Sequence, residues 1–359
     1  MKRKGIKSVI SCFLAAAVLI GGYAVFENSS RDGVSIAAMK NSETKKVFVG
    51  GFPFGVKFLC DGVMIIEITD IKDESGNESS PADEAGLEVN DLIVEANGQK
   101  INSNEVLSEI IENSTEPVEL AVKRNQNIIS VTLNPKTDRQ GIRRAGMWIR
   151  DSAAGIGTVS YIDPQTNVIA GLGHGIYDSE TGALMPLESG EVCKASITTV
   201  TKSQKGTVGG LNGYFSEETL GELEANEEIG IYADCRAEFE NASLTEVADI
   251  SMIETGKATV ITTVNETTPK AYEAEIQTID RHEGGTKNMI IKITDEDLLR
   301  ETGGIVQGMS GSPILQNGRL VGVVTHVLVN SPEKGYAVFA QKMIEKYDEI
   351  SENLKKCAA

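Results

Sequence analysis

The chain has 359 residues, enough for two or three domains of ordinary size, and its 52 acidic and 34 basic residues give a formal charge of −18. Nucleic-acid-binding proteins carry a basic surface, so this balance argues against a nucleic-acid partner. The five cysteines include no Cys-x-x-Cys pair and the three histidines form no His-Glu-x-x-His motif, so we expect no metal and no other cofactor.

The first 26 residues have the pattern of an export signal. Basic residues precede an apolar run at residues 8–26, which is long enough to span a bilayer as a helix. Because no small-residue cleavage site follows this run, we expect an uncleaved membrane anchor, with the remainder of the chain outside the cytoplasm. Residues 27–46 are polar and lack large apolar side chains, which predicts a tether.

From residue 47 onward, glycine-rich segments with many Val, Ile and Thr residues predict a mainly β protein. Strands are predicted at residues 55–59 and 63–68, a short helix at 80–87, a second helix at 104–113, and strands at 118–123 and 128–133. Between residues 80 and 98 the pattern S-P-A-x-x-A-G-L-x-x-x-D-x-I-x-x-x-N-G resembles the PDZ domains of bacterial proteases. The resemblance covers about residues 47–135.

This resemblance implies a domain that binds an extended peptide, usually a protein C-terminus, as an added strand at a sheet edge. It places the carboxylate loop at residues 51–55, so that Phe52, Phe54, Gly55 and Val56 would bind the peptide tail. The alternative is that Phe52 and Phe54 are core aromatics of a small β domain.

Beyond a charged join at residues 136–145, the pattern predicts two groups of strands and a final helix. The first group comprises residues 147–150, 157–162, 167–173, 196–202, 206–210 and 230–232, with an acidic loop at 217–228. The second group comprises residues 258–264, 272–279 and 289–294. A long helix is predicted over residues 338–356.

Ser310 lies between two glycines in the segment Gly-Met-Ser-Gly-Ser-Pro, residues 308–313. A nucleophile for acyl transfer needs an exposed hydroxyl on a tight turn and backbone amides directed at the developing oxyanion. The flanking glycines permit both, so we predict Ser310 as the nucleophile and the amides of Gly308 and Ser310 as the oxyanion hole. An ordinary β-turn is the alternative, because Gly, Ser and Pro are common in turns.

A serine nucleophile needs a base, normally histidine, because the histidine pKa lies near neutrality. His174 is the strongest candidate, since it follows a predicted strand and lies between two glycines. His282 lies in a turn-forming segment and is predicted to be an exposed loop residue. His326 follows Ser310 by sixteen residues within an apolar run, and we expect it to line a substrate groove.

The motifs GLGHGI and VQGMSGSPI, the strand VGVVTHVLVN, the PDZ-like segment and the basic, apolar N-terminus together resemble the stage IV sporulation protein B peptidase family. The resemblance covers nearly the whole chain. It implies a serine endopeptidase with a chymotrypsin-like double β-barrel and a C-terminal helix. Residues 1–26 would be the signal or membrane anchor, 27–46 the tether, 47–135 the PDZ domain and 136–359 the serine peptidase domain.

The same resemblance implies a role in sporulation signalling. Members of this family are secreted from the forespore into the space between the two membranes of the developing spore. There they cut themselves and a regulatory membrane protein, which triggers late sigma-factor activation. The implied partners are a protein substrate at a membrane, a peptide tail on the PDZ domain and the chain itself.

The resemblance places the third member of a catalytic triad at Asp295, fifteen residues before Ser310. In chymotrypsin-like folds the orienting carboxylate belongs to the first barrel, which makes Asp234 a second candidate. Whichever residue it is should reach His174 Nδ1 within hydrogen-bond distance. A solvated acidic cluster is the alternative for both. The same fold places residues 335–338 behind the specificity pocket.

A second class of function also fits the sequence. The chain could be a membrane-tethered PDZ peptide-binding module in which a degenerate protease barrel is only a scaffold. The two hypotheses differ in whether His174 and Ser310 come together, and in whether a serine-directed phosphonate labels Ser310.

Overall fold

The structure is a computed structural model that describes residues 44–236, 243–282 and 284–357. The predicted anchor at residues 1–26 and nearly all of the predicted tether lie outside the described residues. In the part of the chain that the structure describes, no helix is long and apolar enough to cross a bilayer.

The secondary structure is mainly β. The first part of the chain contains β1 (Lys46–Val49), β2 (Pro53–Ile68), β3 (Ile71–Lys72), β4 (Glu78–Ser79), α1 (Pro81–Glu84), β5 (Leu92–Ala96), β6 (Gln99–Lys100), α2 (Asn104–Glu112), β7 (Val118–Arg124), β8 (Asn127–Leu133), β9 (Lys136–Thr137) and β10 (Arg143–Arg144). The middle part contains β11 (Met147–Asp163), β12 (Val168–Gly171), β13 (Leu187–Thr201), β14 (Gly210–Glu227), β15 (Gly230–Asp234), β16 (Leu244–Glu246) and a 3-10 turn (Ile250–Met252). The last part contains β17 (Gly256–Thr262), β18 (Lys270–Ile279), β19 (Met289–Ile293), α3 (Glu296–Thr302), β20 (Pro313–Gln316), β21 (Arg319–Val327), β22 (Lys334–Phe339) and α4 (Ala340–Cys357).

Six strands form the first barrel. β2, β13, β14, β15, β12 and β11 pair in this order, and β11 pairs back with β2 to close the barrel. β1 and β16 extend the sheet beside β11. Alternate residues of each strand point inward, as the two-residue period of a strand requires. The large inward side chains include Phe54, Val56, Phe58, Val159 and Ile169.

A second barrel is formed by β17, β18, β19, β22, β21 and β20, which also close on themselves. The C-terminal helix α4 then packs on a cluster that draws residues from both barrels. Within it the Tyr232 hydroxyl of β15 donates to the Met343 carbonyl of α4 at 2.9 Å. The structure therefore has the two barrels and the final helix that the sequence predicted, the helix beginning at Ala340.

The PDZ-like unit is inserted into the first barrel. β5, β7 and β8 continue the sheet from the second half of β2, and α2 packs Leu107 and Ile111 into a core separate from that of the barrel. β2 and β11 both run from this unit into the barrel, paired with each other along most of their length. The two units thus share two long strands.

This insertion corrects the predicted domain boundaries. Residues 46–60 lie in the barrel even though the PDZ resemblance included them, and the PDZ-like unit ends only where β11 leaves it. β2 also joins the strands predicted at 55–59 and 63–68 through Gly62, whose φ of 128° suits glycine. The acidic loop predicted at 217–228 lies mainly within β14.

The predicted peptide-binding residues are not at a peptide groove. Phe54 is fully buried and Val56 nearly so in the barrel core, and Phe52 packs against that core. At Gly55, β2 pairs with β11 on one edge and with β13 on the other. A strand paired at both edges has no free backbone groups to receive a peptide. The assignment of these four residues to peptide binding is therefore wrong, and Phe54 is a core aromatic.

Candidate active site

Ser310 lies in the turn that leads into β20, where the second barrel contacts the first. Gly308 and Gly311 on either side have φ values of 96° and 97°, which glycine adopts without strain. A Cβ atom on Gly311 would lie 2.0 Å from the Thr158 carbonyl oxygen and 2.6 Å from the Leu172 amide nitrogen. Only glycine fits there, so its small size allows the serine turn to lie against the strands of the first barrel.

His174 follows β12 after a left-handed turn at Leu172 and Gly173. A Cβ atom on Gly173 would meet side chains of Val323 and Thr325 in β21 of the second barrel. The histidine turn therefore also lies at the contact between the barrels. His174 and Ser310 line one cavity of about 820 Å³.

The Ser310 hydroxyl donates to the Thr325 carbonyl at 2.7 Å. His174 Nδ1 lies 2.7 Å from the Gly175 carbonyl oxygen. A carbonyl can only accept, so Nδ1 carries the proton and Nε2 is the nitrogen with a free lone pair. Burial lowers the pKa of His174, although the Gly175 hydrogen bond acts in the opposite direction. The ring is thus held as a neutral base.

Two backbone amides next to the serine hydroxyl are free to bind an anion. The Gly308 and Ser310 amides have no hydrogen-bond partner among the described residues. The Thr158 hydroxyl donates to the Gly308 carbonyl at 2.7 Å, and the Thr158 amide donates to the Ser310 carbonyl at 3.0 Å. These two bonds hold the serine turn against β11. The Gln307 carbonyl, which shares a peptide plane with the Gly308 amide, accepts from the Leu211 amide of β14 at 2.8 Å, and the Met309 carbonyl, which shares a plane with the Ser310 amide, accepts from the Ser312 amide at 3.0 Å. The first barrel therefore orients one of the two amides of an oxyanion hole built by the second.

The structure does not bring Asp295 to His174. The Asp295 carboxylate accepts from the Leu298 amide at 3.0 Å and from the Glu273 amide at 3.3 Å, as the N-cap of α3. A carboxylate held by two backbone amides in this way stabilises a helix start. Asp295 is therefore a capping residue, and its prediction as the third triad member is corrected.

Asp234 is not the orienting carboxylate either. It pairs with Val168 at the start of β12, whereas His174 follows the end of that strand, and its carboxylate accepts from the Glu222 amide and Arg236. In the described part of the chain, no carboxylate hydrogen bonds to His174. The Gly175 carbonyl takes the orienting position at Nδ1 instead, which sequence reasoning missed because a backbone acceptor leaves no residue signature.

The model of the SpoIVB peptidase S55 family matches residues 141–344, and a PDZ domain model matches residues 72–124. The chain belongs to the SpoIVB peptidase S55 family. This confirms the predicted family and the order of its domains. The chain is therefore a peptidase, and the predicted serine type fits this family.

Solved structures add a distant likeness. A serine-to-alanine mutant of Rv3671c from M. tuberculosis H37Rv, in an inactive form, is 16% identical over 55% of this chain and 82% of that one, with a TM-score of 0.29. The Rv3671c protease in an inactive form is 16% identical over 54% and 84%, with a TM-score of 0.30. No curated protein matches the chain. Because both TM-scores are low, the assignment depends on the family model.

In this SpoIVB-family peptidase a second histidine lines the active-site cavity, as predicted. The His326 ring on β21 lies 4.8 Å from the His174 ring, centroid to centroid. Burial, with smaller contributions from the titrating ring of His174 and the nearby Lys287, lowers the pKa of His326 to about 4, although the residue as a whole is exposed. His282 is exposed in a loop, also as predicted.

The wall beside Ser310 is apolar. Ile305, Val306 and Val327 line the cavity there. A Cβ atom on Gly335 would lie 2.6 Å from Ile305 Cδ1, so the isoleucine side chain packs against Gly335. Gly335 belongs to the segment, residues 335–338, that the resemblance to a chymotrypsin-like fold placed behind the specificity pocket. No charged side chain lines this part of the cavity within the described residues. Sequence reasoning identified Gly335 but not Ile305, since nothing in the pattern distinguishes it from a core residue.

A second cavity of about 530 Å³ lies between α2 and the start of β11. Its apolar wall includes Ile111 of α2 and Met147 and Ile149 of β11, and its other end is basic. The predicted carboxylate loop at residues 51–55 lies elsewhere, so sequence reasoning missed this groove entirely. The PDZ resemblance placed the strand that lines the peptide groove before the other strands and helices of the unit. In the structure this strand is the start of β11, which follows them in the chain.

Proposed function

We propose that this chain is an extracytoplasmic serine endopeptidase of sporulation signalling, which cuts itself and a regulatory membrane protein to trigger late sigma-factor activation. Membership of the SpoIVB peptidase family supports this role. The observation that carries the chemistry is that Ser310, His174 and two amides with no partner among the described residues line one cavity between the barrels.

The reaction begins with the Ser310 hydroxyl turning from the Thr325 carbonyl toward His174. Nε2 accepts the hydroxyl proton while Oγ forms a bond to the scissile carbonyl carbon. The negative charge that develops on the carbonyl oxygen is stabilised by the Gly308 and Ser310 amides. The Gly175 carbonyl stabilises the imidazolium through Nδ1–H, which is the part that a carboxylate plays in a Ser-His-Asp triad.

The imidazolium then gives its Nε2 proton to the leaving amine, and the C–N bond breaks to leave an acyl ester on Ser310. Water enters, loses a proton to Nε2 and attacks the ester. The returning proton restores the serine hydroxyl and releases the carboxylic acid product. These steps use the two side chains, the Gly175 carbonyl, the two amides and water.

The apolar wall of Ile305 and Val327 favours a small, uncharged side chain just before the scissile bond. A charged side chain there would lose its hydration without gaining a partner. The PDZ-like unit supplies a second contact with the substrate through the groove between α2 and β11, where a peptide could pair with β11 and place an apolar side chain against Ile111.

The test uses the full-length chain and its Ser310→Ala variant. We expect purified wild-type protein to shorten itself within the predicted tether, residues 27–46, and to cleave the extracytoplasmic part of a co-expressed membrane protein substrate. Ser310→Ala should lose both activities while keeping the thermal unfolding midpoint of the wild type. Continued cleavage by Ser310→Ala would remove Ser310 from the mechanism.

A further inference from the structure

One edge of β11 is open between the PDZ-like unit and the active site. Over residues 147–158 this strand pairs with β2 on one side only, and no other strand of the described chain pairs with its second edge there. Beyond that stretch, β12 occupies the second edge. Natural proteins protect long open edges because unpaired amides and carbonyls accept another extended chain. An edge of this length therefore indicates a binding surface for an extended peptide.

The two cavities are lined by consecutive residues of this strand. Met147, Trp148 and Ile149 line the groove beside α2, and Arg150 begins the stretch that lines the active-site cavity as far as Ile156. The open edge then ends at Thr158, whose amide is bonded to the Ser310 carbonyl. A single extended peptide on this edge would thus touch both cavities.

The strand is held in place where the cavities meet. Arg150 forms an ion pair of 2.6 Å with the buried carboxylate of Asp178, which lies in the turn after His174, and one of 3.1 Å with Glu180. The Asp151 carboxylate accepts from the Asn104 amide at the start of α2 at 2.7 Å. The groove and the histidine turn are therefore fixed to the same strand on either side of the junction.

Charge fixes the direction in which a peptide would lie. At the far end of the groove, Arg144 is paired with Glu112 and Asp138, and Lys72 is paired with Glu78. Arg143 has no acidic partner among the described residues. Within the part of the chain that the structure describes, its guanidinium donates only to the Pro135 carbonyl, at 3.0 Å, and its buried Nε has no partner.

A free α-carboxylate is the group that such a guanidinium binds well. The Gly146 amide beside it also has no partner in the described residues. A C-terminus bound here would run antiparallel to β11, with its upstream residues toward Ser310.

We propose that β11 measures substrate length. Building on the proposed peptidase function, a substrate protein's C-terminal segment would pair with the open edge of β11, with its carboxylate at Arg143 and its last side chain against Ile111. At about 3.3 Å per residue, and with register irregularities between Trp148 and Ile149 and between Arg150 and Ser152, the stretch from Met147 to Ile156 spans about eight to ten peptide residues. The bond at Ser310 is therefore cut about eight to ten residues before the substrate's C-terminus.

The experiment uses full-length protein and a degenerate library of 24-residue peptides that end in valine, prepared as free acids and as matched C-terminal amides. Mass spectrometry of the products gives the cleaved bond. We expect cuts in the free acids to cluster eight to ten residues from the end, at a rate about ten times that of the amides. Two extra residues at the C-terminus should move the cluster by two residues.

Two variants distinguish the effect of the groove on cleavage from an effect on folding. Arg143→Met should bring the ratio of acid to amide cleavage rates close to one, and this ratio does not depend on the fraction of active protein. Arg300→Gln changes an exposed arginine of α3 that lines neither cavity, and it should keep the wild-type ratio.

Equal rates for acids and amides, or cuts that stay at the same bond when the peptide is lengthened, would overturn the proposal. Casein cleavage separates this failure from that of the proposed function. If wild-type protein degrades casein and Ser310→Ala does not, but no clustering is found, the length measurement is wrong and the peptidase stands. If neither casein nor any peptide is cut, both proposals fall.

Discussion

The two barrels contribute to the same site but are built differently. The second barrel is continuous in the chain from β17 to β22 and supplies the serine turn. The first barrel is interrupted between β2 and β11 by the PDZ-like unit. It supplies His174, the Thr158 bonds that hold the serine turn, and the Leu211 amide that orients the plane of the Gly308 amide. A continuous barrel can hold a nucleophile by itself, whereas a barrel that shares two strands with a binding unit also connects the catalytic base to that unit.

The largest expected effect is a loss of stability in the core of the first barrel. Phe54→Ala should cost about 3–5 kcal/mol of unfolding free energy, because Phe54 is fully buried and truncating a buried phenylalanine leaves a cavity. Urea unfolding of the variant and the wild type measures the difference. If Phe54 instead bound a peptide, the variant would keep its stability and lose only peptide affinity.

The next prediction tests the wall that the second barrel gives to the cavity. Ile305→Ala should admit larger apolar side chains before the scissile bond, since the methyl groups now facing Gly335 would be removed. We expect the preference for leucine over alanine to rise by about 10–100-fold in kcat/KM, which corresponds to about 1–3 kcal/mol. An unchanged preference would mean that Ile305 does not contact that side chain.

A smaller effect is expected at Asp295, where the second barrel offers a carboxylate that does not reach the base. Asp295→Ala should cost about 1 kcal/mol of stability, as the loss of an N-cap does, and Asp295→Asn should cost less because asparagine caps well. Both should retain kcat within about tenfold of the wild type, whereas loss of a triad aspartate costs about 10⁴-fold. Peptidase assays of the folded variants decide between these outcomes.

The smallest effect concerns the pH dependence of the shared site. His174 acts as a base only when neutral, and its pKa is lowered by burial, so kcat/KM should fall on the acid side below about pH 6.5, the ordinary histidine value. His326 has a pKa of about 4 and stays neutral in that range. His326→Phe should therefore move the acid limb by only a few tenths of a pH unit, and a shift of a full unit would show that His326 carries charge at the working pH.

Sequence patterns predicted the second barrel better than the first for a physical reason. Strands β17, β18 and β19 are short, alternate regularly and pair with near neighbours, so local periodicity was enough to predict them. β2 and β11 are long strands whose two halves belong to different units, and each half looks like a separate strand. Only the pairing of residues about ninety positions apart shows that the halves are continuous.

At the candidate site, too, sequence patterns predicted what depends on local residue identity and not what depends on distant contacts. Ser310, Gly308 and His174 were predicted from motifs because glycine flanks and a rare histidine are local signals. Asp295 was misassigned by family pattern, although the acidic residues after it and Gly303 at the helix end are ordinary signals of a capped helix. The Gly175 carbonyl and the open edge of β11 depend on backbone geometry, which residue identity does not report.

The most direct test of the account is whether the two barrels act as one catalytic unit. A peptidyl diphenyl phosphonate should form a single covalent adduct on Ser310, mapped by mass spectrometry, and His174→Ala should slow its formation by about 10³-fold or more. An adduct on another residue, or equal labelling rates in the wild type and in folded His174→Ala, would contradict the account.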